Sequence, residues 1–438
     1  MARILFAWEL GKGFGHLAPY IDLVDGLQKR GHQVVFAARD VGNTERIFGS
    51  KGVVILQAPC MMHNVANPYR VQYNFSHLLH NIGFAEARSI FGLVKAWRHI
   101  YKYAQADMVL FDHSPTALLA AKPYKFKRIV SGSGFLIPPA SQPLPLMRYW
   151  QQYDMDRLAK EEAQLLANIN RVQEGLKLPA LPSVSAIYDA DRHFLLSFKE
   201  LDHYPDRPDG NYVGMFSPPG HGVPPVWPGN SPRKVFAYLH PFRQIGDLLG
   251  TLAKGNFSTI VYGPEIPETV KKKIDSDRLV FSNQPLDIKH VAAECNFAVT
   301  NGTFGTTAAF LLYGKPVLAM PTNLERVMVA RRLVAVGAGL AVRQDKPENL
   351  PKAINTIMTS GKFAEAAKKF GSRYAGLSQQ WQTEQMLDAM EDLLGVAGQG
   401  TTPRSDNTKA KTAAIMGADA EIPAPGTPPR KGRRARHK

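Results

Sequence analysis

Residues 3–40 read RILFAWELGKGFGHLAPYIDLVDGLQKRGHQVVFAARD. An apolar run meets a cluster of glycines, then a histidine, an amphipathic segment and a second apolar run. Strand, helix and strand in that order predict a βαβ unit and a parallel sheet. Two readings of the loop compete. Gly11 and Gly13 follow a strand and Asp40 ends the next one, as in a dinucleotide-binding turn. The third glycine of that turn would fall at His16, where an imidazole obstructs close helix–strand packing. In the other reading the glycines turn the chain sharply and leave His16 at the helix start, on the carboxyl edge where open α/β sheets bind ligands. A helix N-terminus disfavours a protonated imidazole, so His16 is expected to stay neutral near pH 7. It would then act as a general base or merely cap the helix.

Working outward, the first half continues with the strand-like runs VVILQAP, DMVLFD and KRIVSGS. The second of these ends at Asp112, on the same edge as His16. A carboxylate bonded to the far nitrogen of an imidazole fixes its tautomer and steadies the charge formed on proton abstraction. The alternative for Asp112 is a helix N-cap, because SPTALLAA follows with Pro115 near its first turn. Between Ala66 and Ala106 the alternation breaks into an aromatic, histidine-bearing insertion, the kind of segment that builds a substrate cleft. Proline and glycine crowd residues 205–232, which marks a linker. Alternation then resumes with KVFAYLH, FSTIVYG, RLVFSNQ, NFAVTNG and KPVLAMP, and QQWQTEQMLDAMEDLLG closes the fold as an amphipathic helix. The expected division is a domain over 1–210, a linker over 211–232, a second domain over 233–397 and a disordered basic tail over 398–438.

The bulk properties fit this division. A chain of 438 residues, 45% hydrophobic and 21% charged, suits two globular domains. No apolar run is long enough to span a membrane and no signal peptide is legible at the start. Cys60 and Cys295 offer neither a disulfide framework nor zinc spacing, so a cytoplasmic location is expected. The net charge is +16; residues 401–438 carry nine Lys/Arg against three Asp/Glu, which leaves a surplus of ten on the rest. That excess favours anionic partners. The tail PPRKGRRARHK has no aromatic platform beside it, so no nucleic-acid partner is expected. His77 and His80 lack a third ligand, and no metal site is expected.

With these motifs in place, the chain resembles the GT-B inverting glycosyltransferases that act on plant metabolites, macrolides and other lipophilic acceptors. GFGHLAP is similar to the family's N-terminal GHxxP loop, MVLFD to the strand ending in its partner aspartate, and NYVGMF to the YVGP at its linker. Residues 281–342 resemble the donor-nucleotide signature. The resemblance implies two facing Rossmann-like domains with parallel sheets. It gives His16 as base, Asp112 as its partner, and Phe281 and Gln284 as holders of the nucleotide base. TNGTFGTTAAFLL matches the glycine turn that receives a diphosphate, so Asn301, Gly302, Gly305, Thr306 and Thr307 are its expected contacts. Free amides at a helix start and close approach at the glycines suit that role. PTNLER lies where the family holds sugar hydroxyls, which points to Glu325 and Arg326.

The implied reaction is an inverting, metal-independent transfer of a sugar from a nucleoside-diphosphate sugar to a hydroxyl, with no cofactor beyond that co-substrate. The acceptor would be lipophilic or lipid, received by Met61, Met62, Tyr69, Tyr73, Phe75 and Phe84 of the insertion. Contact with a membrane surface is compatible with the positive charge. Three departures stand out: Asn301 replaces a phosphate-binding histidine, Ala309 a ribose-binding glutamate, and Arg326 a sugar-binding glutamine. They leave open a non-catalytic GT-B scaffold or activator, and the fold also admits a sugar-nucleotide epimerase.

Overall fold

The computed structural model describes residues 1–11, 13–216 and 222–395. The first half contributes strands β1 (Arg3–Trp8), β2 (Gln33–Ala38), β3 (Val54–Gln57), β4 (Met108–Asp112), β5 (Lys127–Gly132) and β6 (Arg192–Leu195). The second contributes β7 (Lys234–Tyr238), β8 (Ser258–Tyr262), β9 (Leu279–Ser282), β10 (Phe297–Thr300), β11 (Val317–Ala319) and β12 (Gly339–Ala341). They form two six-stranded sheets, ordered β3-β2-β1-β4-β5-β6 and β12-β11-β10-β7-β8-β9. Every pairing is parallel.

Counted from its own first strand, each sheet has the order 3-2-1-4-5-6. The strand order therefore reverses between β1 and β4 in one sheet and between β7 and β10 in the other. Connections leave to opposite faces at such a point, and a crevice opens at the carboxyl ends. In the first sheet Trp8 pairs with Asp112 there; in the second, Tyr238 pairs with Thr300.

Both sheets are buried on both faces, which explains the near-continuous apolar strands. Along β1, Leu5 and Ala7 enter one core cluster while Ile4, Phe6 and Trp8 enter the opposite one. Along β7, Val235 and Ala237 face one layer of helices and Phe236 the other. This is the two-residue alternation of a pleated strand.

Two elements tie the halves together. The helix Gln379–Leu394 returns to the first half, where Met386, Leu387 and Met390 pack with Leu23, Val24 and Leu27. Arg30 reaches Glu384 (2.6 Å), Asp388 (3.1 Å) and Glu391 (2.6 Å) on that helix. A helix assigned by sequence order to 233–397 thus completes the core of the first sheet, because its apolar side matches the exposed stripe of the helix Ile21–Lys29. The helix Leu324–Val336 does the reverse: its Leu324 and Met328 pack into the first half's cluster. Arg331 of that helix lies over the Trp150 ring, 4.1 Å from its centroid.

Among the described residues of the 211–232 stretch there is no regular strand or helix. Tyr212 bridges to Leu195 and Val223 to Leu286, so the connection is pinned at both ends. The basic tail lies outside the described residues. Among the described residues no helix is long and apolar enough to cross a membrane, and both cysteines are unpaired.

Candidate active site

The loop after β1 is shaped around His16. Gly11 has φ +85°, open to glycine at little cost. A Cβ built there would lie 2.2 Å from His16 Nε2, so the missing side chain is what leaves that nitrogen room. His16 closes a single 3-10 turn, Phe14–His16, and the regular helix begins only at Ile21. The sequence reading, which placed His16 at the start of the helix and expected its macrodipole to keep the ring neutral, is corrected here. Pro19 and a second 3-10 turn, Ala18–Tyr20, separate the two.

Asp112 governs the imidazole instead. His16 Nδ1 lies 2.9 Å from Asp112 Oδ1, with the side chains 15% and 6% exposed. An ionised carboxylate only accepts, so the proton of the neutral ring sits on Nδ1 and Nε2 is left bare. Burial pulls the His16 pKa down, as does the charge of Arg39. The charge and hydrogen bond of Asp112, with the charge of Glu325, outweigh them, and the imidazole is held above its ordinary value. Trp8 stacks on the ring, centroids 5.2 Å apart and planes 19° apart. Asp112 does not cap the following helix Pro115–Ala121; Ser114 takes the cap position, and its Oγ donates to Ala7 O at 2.7 Å.

A further carboxylate lies behind the pair. Glu9, the residue after β1, accepts from Trp97 Nε1 (2.7 Å), Thr116 N (2.8 Å) and Thr116 Oγ1. It ties the β1 tip to the helix after Asp112. Burial pushes its carboxyl up to about 7 despite these three donors. Neither Glu9 nor His113, which follows Asp112, was singled out from the sequence. Their importance arises from pairing across β1 and β4, which no local motif signals.

The second switch point is built differently. Gly302 has φ +75°, and a Cβ there would sit 3.3 Å from Arg326 O, so the glycine allows two turns to close on one another. Thr303 stands at the N-cap position of the helix Phe304–Leu312 without a side-chain bond to its amides, and its Oγ1 donates to Thr306 Oγ1 at 3.1 Å. Met215 of the linker comes within 3.3 Å of the Cβ position of Gly305. Two expected donor contacts are corrected. Asn301 is fully buried: Nδ2 donates to Tyr238 O (3.2 Å), and Oδ1 accepts from His240 N (3.2 Å). It ties β10 to the end of β7 and does not reach outward. Thr307 is also fully buried, since the helical turn that exposes Thr306 points its neighbour into the core.

Asn323 caps the helix Leu324–Val336 through Arg326 N (3.0 Å), and Arg326 Nη1 donates to Thr322 Oγ1 at 2.6 Å. Glu325, on the first turn, is partly buried beside His16. Burial lifts its carboxyl above the ordinary value, against the pull of the Arg326 and His16 charges. Phe281 and Gln284 sit at the carboxyl end of β9. Phe281 packs partly into the core beside Lys271, and Gln284 is exposed. Three strand spacings, roughly 14 Å, separate β9 from β10. His240, at the tip of β7, is a partly exposed ring that the sequence reading passed over.

The apolar insertion is only in part a wall. Phe84 and Phe75 are fully buried core residues, which corrects their assignment to an acceptor pocket. Gly83, at φ +114°, swings Phe84 inward. Tyr69 stacks on His77 and Tyr73 on Tyr153, each with centroids 4.0 Å apart, and Met61 lies against Gly83. His77 Nε2 is 2.9 Å from Glu161, and His80 Nε2 is 3.0 Å from Asn67 O. Among the described residues no group of three His, Cys, Asp or Glu is placed to hold a metal ion.

No family model matches the chain. The crystal structure of the glycotransferase of kitacinnamycin superposes with a TM-score of 0.67, covering 90% of this chain and 99% of that one at 16% identity. Spinosyn rhamnosyltransferase SpnG, complexed with thymidine diphosphate, superposes with a TM-score of 0.61 over 88% and 100%, also at 16% identity. The chain has the GT-B fold. Its two facing sheets and the crevice between their switch points are those of this fold. In sequence, it is 29% identical over 94 residues to the PGL/p-HBAD biosynthesis glycosyltransferase of Mycobacterium tuberculosis, a match covering 20% of this chain and 22% of that protein. It is 26% identical over 106 residues to the sterol 3-beta-glucosyltransferase of Kluyveromyces lactis, covering 24% and 9%. These matches span about a fifth or less of the relatives' own length.

Proposed function

We propose that this GT-B chain is an inverting, metal-independent glycosyltransferase that moves a sugar from a nucleoside-diphosphate sugar to a hydroxyl of a lipophilic acceptor. The observation that carries the reading is the His16–Asp112 pair at one switch point with Glu325 of the other half beside it. His16 Nε2 takes the acceptor proton, and Asp112 steadies the imidazolium that results. The acceptor oxygen attacks the anomeric carbon from the side opposite the diphosphate, which leaves with the bonding electron pair. Backbone amides at Thr303–Thr306 and the Thr306 hydroxyl receive the charge that grows on it, while the Gly302 amide is held by Thr300 Oγ1. Asn301 positions this turn from beneath. Glu325 holds sugar hydroxyls, with Arg326 beside it.

The complex of SpnG with thymidine diphosphate supports a thymidine diphosphate donor. The sterol glucosyltransferase likeness supports a lipophilic acceptor. A donor screen tests the proposal. UDP-, dTDP- and GDP-sugars are compared by thermal shift and by turnover with a panel of hydroxylated lipophilic acceptors. One nucleotide class should raise the Tm through linkage, and its sugar should appear on the acceptor with inverted anomeric configuration. Nucleotide binding without turnover favours the scaffold reading, and a changed sugar without acceptor favours epimerisation.

A further inference from the structure

His113 sits at the end of β4, directly after Asp112, and the transfer chemistry described above makes no use of it. Its φ of +44° is in the left-handed region, uncommon outside glycine and entered mainly by Asn, Asp and His. That turn sets its ring nearly parallel to His16, planes 10° and centroids 6.1 Å apart, with Phe75 edge-on at 6.5 Å. His113 Nδ1 is buried with no hydrogen-bond partner, while the residue as a whole is partly exposed. A buried N–H left unpaired is costlier than a bare ring nitrogen, because orphaned donors are the rarer state. The proton therefore belongs on Nε2, at the open side of the ring. Burial, with the charges of His16 and Arg39, drives the pKa down to about 3, so the ring stays neutral.

A neutral N–H donor thus stands next to a base. Two hydrogen bonds of about 2.9 Å meeting on one oxygen span up to about 6 Å. With the ring centroids 6.1 Å apart, nitrogens of the two rings that face the same opening fall within that span. We propose that His113 contacts the acceptor, its Nε2–H donating to the same hydroxyl oxygen whose proton passes to His16 Nε2. The inference rests on the transfer reading. In the step, the acceptor O–H bond breaks toward His16, the oxygen–carbon bond forms, and the pair from the broken carbon–oxygen bond leaves with the diphosphate. His113 keeps its proton throughout and holds the acceptor oxygen in line with the anomeric carbon.

The test uses the full chain and two substitutions. H113G removes the donor and keeps the left-handed turn, and circular dichroism should show the fold retained. Its kcat should drop on the order of 10²-fold, as for a misplaced nucleophile, with affinity for the nucleoside diphosphate unchanged. H113N keeps an N–H and tolerates the left-handed turn, and should recover most of the rate. Nitrogen-15 histidine spectra should show the His113 ring, assigned by its absence in H113N, as neutral Nε2–H from pH 5 to 8. An H113G rate within threefold of the parent overturns the inference, as does an H113N rate no better than that of H113G. A ring carrying Nδ1–H, or titrating between pH 5 and 8, overturns it too. In those cases an active parent leaves the transfer reading standing; a parent inactive with every donor and acceptor sinks both.

Discussion

The two switch points share one topology and have opposite chemistry. At the first, strand order reverses between β1 and β4, and the loops bring an imidazole and a carboxylate together under a stacked tryptophan. At the second, the reversal lies between β7 and β10, and the exposed groups are backbone amides and a threonine hydroxyl at a helix start. The difference is in where the following helix begins. After β10 the helix starts at Phe304, two residues beyond Gly302, and its amides open onto the crevice. After β1 the 3-10 turns postpone the helix to Ile21, so a side chain occupies the space that amides fill in the other sheet. One half is therefore suited to moving a proton and the other to holding an anion.

Breaking the proton-moving half alone should have the largest effect. H16A is expected to lower the transfer rate on the order of 10²–10⁴-fold, as for loss of a general base. Nucleoside-diphosphate affinity by calorimetry should be unchanged. G11A, which sets a Cβ against Nε2, should mimic it in both measurements. An H16A chain with the parental rate would place the base elsewhere.

The same half carries a stability signature of its own. Glu9 is shifted from 4.5 to about 7 in the fold, so its ionisation opposes folding. Its favourable contribution is present below pH 4.5 and is lost as pH rises through about 7, on the order of 3 kcal/mol in all. Thermal melts of the parent should show this decline, and E9Q should flatten it. A decline of equal size in E9Q would assign it to other groups.

In the anion-holding half, G302A forces a side chain into the left-handed region, which costs about 1–2 kcal/mol. Nucleoside-diphosphate binding should weaken about tenfold, the equivalent of 1.4 kcal/mol, and the acid limb of the rate profile should stay in place. The smallest effect concerns the strap between halves. R30A removes three partly exposed contacts to the returning helix, and should lower stability by about 1 kcal/mol in urea melts at low salt.

The sequence made the sheets legible where strands are buried on both faces, as at RILFAW and MVLFD, because continuous apolar runs admit few other readings. It did not reveal β6 and β12. One begins with Arg192 and His193, and the other is three residues long, so neither carries an apolar signature. His16 and Asp112 were legible as two strand-end residues on one edge, and 2.9 Å separates them. The orientations of Asn301, Thr307 and Phe84 were not legible. Each is decided by a single turn: the closure of β10 on β7, the phase of the helix Phe304–Leu312, and the φ of Gly83. The return of the last helix to the first half was hidden for a similar reason. Amphipathicity shows that a face is covered and leaves open which core covers it.

The most direct test of the account is the pH dependence of kcat/KM for the parent and D112N. His16 is held above its ordinary pKa by Asp112, and it must be neutral to accept a proton. The parent's rate should fall tenfold per pH unit on an acid limb centred above 6.5, and D112N, besides being slower, should move that limb to lower pH. A parent profile without an acid limb, or a limb unmoved by D112N, would contradict the claim that this pair is the base of the reaction.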